Sequence, residues 1–311
     1  MNSLGLLFFV VPVGAFVEPD EGEMKAMPRR ERARLFAVGP AVNLVIALVT
    51  ALIFSSVFMA GVSPVADGVG VASVTPESPA ANASFYPGMI ILAVSRTVNG
   101  TTTNTTVRTY AAFAAVMANT TANENVTVTY IDKHMLAPTS ALVTLGDAGY
   151  YTKDASRRGK GFLGISPFAR LTTAYFHPIG GASEFGGVVQ STLAYISLPF
   201  AGLQPMQGLA TEFYVVHGPL AALGEGAFWV LANVFYWVFW LNLMLGMTNA
   251  LPAVPLDGGY IFRDGLHALV ARVRKGMAVE RRDRVVKNVS YAFALMILAL
   301  ILWQFIGPRI L

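Results

Sequence analysis

Apolar positions along this chain follow two different rhythms. Three long uncharged runs, at 35–62, 227–251 and 289–306, show neither the two-residue nor the half-polar helical alternation of a soluble domain. At about 1.5 Å per helical residue the first two exceed a hydrocarbon core of roughly 30 Å, and the third, stopping before Gly307-Pro308, just reaches it. All three are predicted to cross a membrane. Between the first and second, residues 64–150 change to short β-rich pieces, GVGVASV, MIILAVS, VTVTYID and SALVTL, with one helical stretch, TYAAFAAVMA. Short strands separated by Gly, Pro and Asn turns predict a compact α+β domain. Farther on, TLAYISLPFAGLQP is apolar but broken by Pro199 and Gly202, and reads as an outer-leaflet helix or a re-entrant segment. The opening run, 4–17, is short and interrupted by Pro12 and Gly14. It reads as a hairpin dipping into the membrane from the cytoplasmic side, or as the end of a span begun earlier. A secretory signal fits it poorly: no basic residue precedes the run, and Glu18, Asp20, Glu21 and Glu23 stand where a small-residue cleavage site belongs.

The pattern therefore predicts a multi-pass α-helical membrane protein with an inserted extracytoplasmic α+β domain. Its parts are the hairpin and first span (1–63), the external domain (64–150), an outer-face amphipathic or re-entrant segment (151–226) and two further spans (227–311). Composition agrees, with 54% hydrophobic and 13% charged residues over 311 positions. Charge adds orientation. PRRERAR (28–34) precedes the first span and RVRKGMAVERRDRVVK (272–287) the last, so both belong on the cytoplasmic side and 64–226 outside. A span at 186–205 would break that agreement. The net charge of +4 is small and forms no basic stripe with interleaved aromatics, which excludes a nucleic-acid partner and leaves the lipid bilayer as the surroundings. There is no cysteine, so disulfides and thiolate metal sites are excluded. Asn82, Asn99, Asn104, Asn119 and Asn125 each begin an N-x-S/T sequon in the segment placed outside, and are candidate glycosylation sites. Asn288 also fits the pattern, but sits by the cytoplasmic basic cluster and should stay bare.

The candidate chemistry lies where the second run ends, in NALPAVPLDGG (249–259). An aspartate there can simply cap the next helix at the interface. An ionisable group at membrane depth is otherwise a functional group by default, because hydrocarbon opposes its charge unless something compensates. Pro252 and Pro255 remove two backbone donors and stop a regular helix, while Gly258 and Gly259 permit close backbone approach, so Asp257 would project from a locally unwound segment. Asn249 stands within a turn or two and could offer its amide to a substrate or an oxyanion.

NALPAVPLDGG resembles the N-x-x-P-x-x-P-L-D-G motif of the site-2 proteases, zinc metalloproteases that cleave peptide bonds within the membrane. Gly39, Pro40 and Asn43 in GPAVN are similar to the family's G-P-x-x-N segment. ESPAANASFYPGMIILAVS (77–95) resembles the strand-turn-strand of a PDZ domain that many members carry, and GFLGISPF (161–168) is like the sequence that follows it. The resemblance implies an intramembrane zinc endopeptidase acting on transmembrane proteins or peptides, with Asp257 as a zinc ligand, Asn249 as a catalytic-site residue, and Pro252, Pro255, Leu256, Gly258 and Gly259 shaping the turn. It also implies an H-E-x-x-H helix ahead of the hairpin, contributing two histidine ligands and a glutamate base to a zinc ion that binds and acidifies water.

That motif is absent. The four histidines, His134, His177, His217 and His267, are none of them followed by glutamate. The chain thus reads as a fragment of a complete protease, inactive alone, with the missing helix expected immediately upstream. A membrane adaptor that binds peptides through its PDZ-like domain and has lost catalysis fits the same residues. A transporter using Asp257 as an ion site fits less well, since no repeated pair of interrupted helices is present.

Overall fold

The computed structural model describes residues 3–8, 12–18, 21–98, 100–168, 171–200 and 206–310. The chain opens with an antiparallel hairpin, β1 (Ser3–Phe8) and β2 (Pro12–Glu18), in which Leu4 faces Val17 and Leu7 faces Gly14. The opening apolar run is thus extended backbone, as the hairpin reading requires and a helical span end does not. After a short helix α1 (Glu21–Ala26) comes α2 (Arg29–Ile53), continued by one π-helical and one 3-10 turn to Gly61. Then follow β3 (Val62–Pro64), β4 (Val69–Val74), α3 (Pro79–Asn82), β5 (Ile90–Val98), β6 (Thr101–Thr106) and α4 (Tyr110–Ala118). Next are β7 (Asn125–Ile131), β8 (Thr139–Thr144), β9 (Gly146–Asp147), α5 (Ala148–Thr152), β10 (Gly161–Phe162) and β11 (Ile165–Phe168). Short helices α6 (Ala182–Phe185), α7 (Val188–Ile196) and α8 (Leu209–Glu212) lead to β12 (Tyr214–Val216). The remainder is helical: α9 (Glu225–Asn249), α10 (Asp257–Val273) and α11 (Val279–Ile310).

Three helices among the described residues are long and apolar enough to cross a membrane, Arg29–Gly61, Glu225–Asn249 and Val279–Trp303. They coincide with the three apolar runs, but α2 and α11 start earlier than the runs do, because their basic first turns are helical too. α7 has nine residues. At about 1.5 Å per residue it covers less than half of a roughly 30 Å core. Residues 201–205, the end of the segment predicted as re-entrant, lie outside the described residues, as does Asn99.

The chain forms two compact units, Met1–Thr50 with Val238–Leu311, and Ala51–Trp237. In the second, a sheet runs in the order β11-β4-β5-β7-β8, with β6 also pairing β5. Alternation in β4 (Val69, Val71) and β7 (Val126, Val128), with Ile91 and Val94 on either side of a register shift in β5, supplies its core; all six are fully buried and pack with Phe85, Phe113, Val143 and Leu145. Three features depart from the sequence reading. Residues 77–95 form a helix, a turn and one strand, because Ser78 caps α3 by accepting a hydrogen bond from the Ala81 amide and Pro79 holds its first turn. GFLGISPF does not follow the domain; β11 pairs with β4 inside its sheet. TTTNTT, read only as a source of sequons, is β6, an exposed strand carrying no apolar alternation to announce it.

Below the sheet lies an aromatic cluster in which Phe54 meets Phe176, Tyr195 and Tyr236 at 6.3, 6.0 and 5.2 Å between ring centroids, and Tyr236 Oη donates to the Tyr195 carbonyl at 2.6 Å. On the sheet itself, Asp132 accepts from Tyr86 Oη and from the amides of His134 (2.7 Å) and Met135 (2.9 Å), closing the β7–β8 turn. Burial opposes its ionisation most strongly, yet these donors together outweigh burial and hold the carboxyl below its ordinary value, while Tyr86 is pushed up to about 12 by the same bond. A depressed carboxyl stabilises the fold above its unfolded pKa and loses that contribution as pH falls through the folded value. Tyr86→Phe should therefore lower the thermal midpoint at pH 7 and flatten its decline below about pH 4. Circular dichroism melts across pH 2.5–7 measure both; an unchanged acid limb would contradict the role given to this bond.

Candidate functional site

Within the first unit, α2 and α10 meet along one face in opposite directions. Arg32 forks onto Asp264 through Nε–Oδ2 at 2.7 Å and Nη2–Oδ1 at 2.6 Å. One turn on, Phe36 stacks on Tyr260 with centroids 4.5 Å apart and planes 7° from parallel. One turn further, Gly39 faces Asp257: a β-carbon at Gly39 would stand 3.1 Å from Asp257 Oδ2. The steps 32, 36, 39 and 264, 260, 257 are the i, i+4, i+7 face of two helices read in opposite senses. GPAVN and PLDGG, far apart in sequence, are thereby set against each other.

The turn that presents Asp257 is built from the residues singled out above. α9 ends at Asn249, residues 250–256 are non-helical, and α10 begins at Asp257. Pro252 and Pro255 lie in this loop, where the Val254–Pro255 peptide is cis. Gly258 and Gly259 are buried, and a side chain on either would overlap backbone: Ala250 and Leu251 for the first, Ala253 and Val254 for the second. Leu256 is the N-cap of α10 and offers no side-chain acceptor. Asp257 is half-buried, and among the described residues its carboxylate has neither a hydrogen-bond nor an ion-pair partner. The capping reading is therefore not what is observed. Asn43 lies one turn beyond Gly39 on α2 and is half-buried, and Pro40 is buried. Asn249 is half-buried, with no side-chain hydrogen bond among the described residues, and none links it to Asp257. An apolar cavity of about 580 Å³ borders the turn, lined by Pro40, Leu44, Pro252, Gly258, Ile261 and Phe262. Sequence spacing gave no sign of it.

The histidines do not join this carboxylate. His134 is exposed and 3.5 Å from Glu212. His177 lends its carbonyl to Ser191 Oγ, and the His217 amide pairs with the Gly61 carbonyl. His267, on α10, lies 3.6 Å from Asp283. Among the described residues, no three His, Cys, Asp or Glu side chains converge as a metal site. Zinc is commonly held by at least three protein donors. The donor set present, Asp257 alone, does not make a zinc site.

A second concave feature belongs to the other unit. A groove of about 500 Å³ runs between α4, through Tyr110, Phe113 and Met117, and the strand region Gly161, Leu163 and Ile165. The sequence reading placed GFLGI beyond the domain and so missed that it forms one wall. Of the candidate glycosylation sites, Asn82, Asn104, Asn119 and Asn125 are exposed. The Asn119 amide donates to the Ala115 carbonyl at 2.9 Å, and Asn125 Oδ1 accepts from Thr144 at 2.7 Å.

Residues 4–297 match the profile of Peptidase family M50. A Mycobacterium tuberculosis protein named "Putative zinc metalloprotease Rip3" is 33% identical over 117 residues, covering 37% of this chain and 29% of that protein. The matched segment thus spans less than a third of the Mycobacterium relative's length. A Rhizobium meliloti protein, also named as a zinc metalloprotease, is 25% identical over 329 aligned positions, covering 96% of this chain and 81% of its own. Among solved structures, the PDZ domain of an SdrC-like protein from Listeria monocytogenes aligns with 33% of this chain and 90% of its own at 22% identity and a TM-score of 0.25.

Two aspartates on one helix should respond oppositely to the same substitution. Asp264→Asn removes the anionic half of the Arg32 ion pair and should cost about 1–3 kcal/mol. Asp257→Asn removes neither a cap nor an ion pair and should change stability by less than about 0.5 kcal/mol. Thermal unfolding of both variants in detergent decides; equal losses would mean that Asp257 has a structural partner.

Proposed function

The chain belongs to Peptidase family M50, and from that membership we propose that it forms the membrane-embedded part of a site-2-type zinc endopeptidase that hydrolyses peptide bonds of transmembrane proteins or peptides. The observation that carries this reading is the seat of Asp257. Two segments that resemble family motifs meet face to face, and between them sits a carboxylate that caps nothing and, among the described residues, pairs with nothing, beside an apolar cavity. Such a group is costly in a membrane unless a cation or a substrate compensates it. In this proposal Asp257 is one zinc ligand. The family resemblance supplies the other ligands as the two histidines of an H-E-x-x-H segment, with its glutamate as the base; these 311 residues contain no H-E-x-x-H. Asn249, at the end of α9, holds a substrate amide or carbonyl.

Substrate handling follows from backbone chemistry. The hairpin β1–β2 is a two-stranded sheet, and a free strand edge pairs with extended peptide without demanding a particular sequence. The reading also places 64–226 outside the membrane and 272–287 on the cytoplasmic side, following the basic clusters. The exposed Asn82, Asn104, Asn119 and Asn125 are then open to glycosylation. A second reading is supported by the groove beside α4: an inactive adaptor would use this PDZ-like cleft to bind peptides while Asp257 does nothing.

One substitution separates the two. In a preparation supplied with an H-E-x-x-H segment, Asp257→Asn should reduce cleavage of a transmembrane substrate at least about a hundredfold. Asp257→Glu should fail as well, since an added methylene moves the oxygen beyond the roughly ±0.2 Å tolerance of metal–ligand distances. Wild-type cleavage by Asp257→Asn would remove the ligand assignment and leave the adaptor. Topology is tested separately: this chain has no cysteine, and Leu136 and Ala278 are both exposed. Leu136→Cys should react with an impermeant thiol reagent on intact cells and Ala278→Cys should not; labelling of both would reject the orientation.

A further inference from the structure

A cavity of about 420 Å³ lies at the far end of the α2–α10 face from Asp257, where α11 joins them. Four arginines and two aspartates line it, with His267 between them. Arg32 and Asp264 neutralise each other in their bidentate pair. Asp283 approaches His267 and is largely exposed. Arg29, Arg263 and Arg282 have no ion-pair partner among the described residues. Arg282 is more than merely unpaired: its Nε is buried without any hydrogen-bond acceptor. Burying a cationic donor without an acceptor is costly, and native structures rarely do so.

His267 reports on the same crowding. Burial lowers its pKa most; Asp283 raises it, and Arg29, Arg263 and Arg282 each lower it further, so all three guanidiniums act on one point. Their position along the chain is equally telling. Arg29 is the first residue of α2, and Arg282 lies in the first turn of α11, so the cavity opens where two candidate spans begin. If these helices cross a bilayer, the lipid phosphates lie near where the spans begin, outside the hydrocarbon.

We propose that this cavity binds a phosphate group, held by the guanidinium groups of Arg29, Arg263 and Arg282. Three converging guanidiniums match a tetrahedral oxyanion, whose several acceptors can take parallel N–H donors. The same chemistry is offered by the headgroup of an anionic phospholipid or by free phosphate. The site is independent of Asp257 and of the proposed zinc, and neither outcome at that turn bears on it.

The test uses the full chain in two settings. In neutral detergent, the thermal midpoint is followed against inorganic phosphate, with chloride at equal ionic strength as reference. In nanodiscs, phosphatidylglycerol is titrated into phosphatidylcholine, the thermal midpoint is followed again, and retained lipid is counted by native mass spectrometry. Wild type should be stabilised in at least one arm, and Arg282→Gln should weaken the effect by roughly tenfold or more in apparent affinity. Arg263→Gln, at an exposed position, serves where Arg282→Gln does not fold. Arg281→Gln is the control, since Arg281 is exposed on the same helix and does not line the cavity. A response to phosphatidylglycerol alone assigns a lipid headgroup; a response to inorganic phosphate in detergent assigns a soluble ligand. No stabilisation in either arm overturns the proposal, and so does equal weakening by Arg281→Gln, which would signify diffuse attraction to a basic surface.

Discussion

The first unit depends on how closely backbones can approach one another. Lipid chains are as apolar as leucine, so helices in a membrane gain little from hydrophobic burial and rely on tight packing at small residues. Here the small residues are glycines at specific contacts. Gly246 lets α9 come down on α2, where a β-carbon would stand 3.0 Å from the Leu44 side chain and 3.2 Å from the Pro40 carbonyl. Gly258 and Gly259 let the start of α10 fold back on the loop that precedes it. Gly39 leaves room for a carboxylate. Its substitution by alanine would favour the helix by roughly 0.5–1 kcal/mol, so propensity alone argues against glycine there. The space it leaves is what its presence explains.

Much of this architecture was legible in the sequence because it rests on local pattern. Val69 and Val71, Val126 and Val128 announce their strands by alternation, and the three long helices by uninterrupted hydropathy. What was not legible rests on pairings between distant residues or on elements without periodicity. β6 is a threonine run whose side chains need no core, so it shows no apolar rhythm. GFLGI looked like a connection because its strand is short and its partner, β4, lies far back in the chain. At the candidate site each motif could be read separately. Their meeting could not, since nothing in GPAVN indicates that its glycine faces the aspartate of PLDGG.

The register of α2 against α10 accounts for that meeting. A bidentate ion pair at one end and a ring stack in the middle fix both the rotation and the height of the two helices. Once Arg32–Asp264 and Phe36–Tyr260 are matched, helical geometry leaves Gly39 and Asp257 as the next opposed pair. The two contacts thus act as positioning elements for a carboxylate they never touch. A shift of one residue along either helix would rotate Asp257 by about 100° away from the glycine, which makes this register a specific requirement rather than one packing among many.

Charge is divided along α10 in the same economical way. Asp264 is answered by Arg32, while Asp257, two turns earlier, has no partner among the described residues. The position of Asp257 at the first residue of the helix makes that tolerable, since the exposed amides and dipole there favour a negative charge by about 0.3–1 kcal/mol. Burial acts the other way and raises the carboxyl's pKa, so the helix start offsets only part of that opposition, and a cation beside it would favour the ionised form further. An aspartate serving stability alone would be expected to look like Asp264. Asp257 differs in each respect: it is seated against Gly39, its charge is opposed by burial, and among the described residues its carboxylate has no partner.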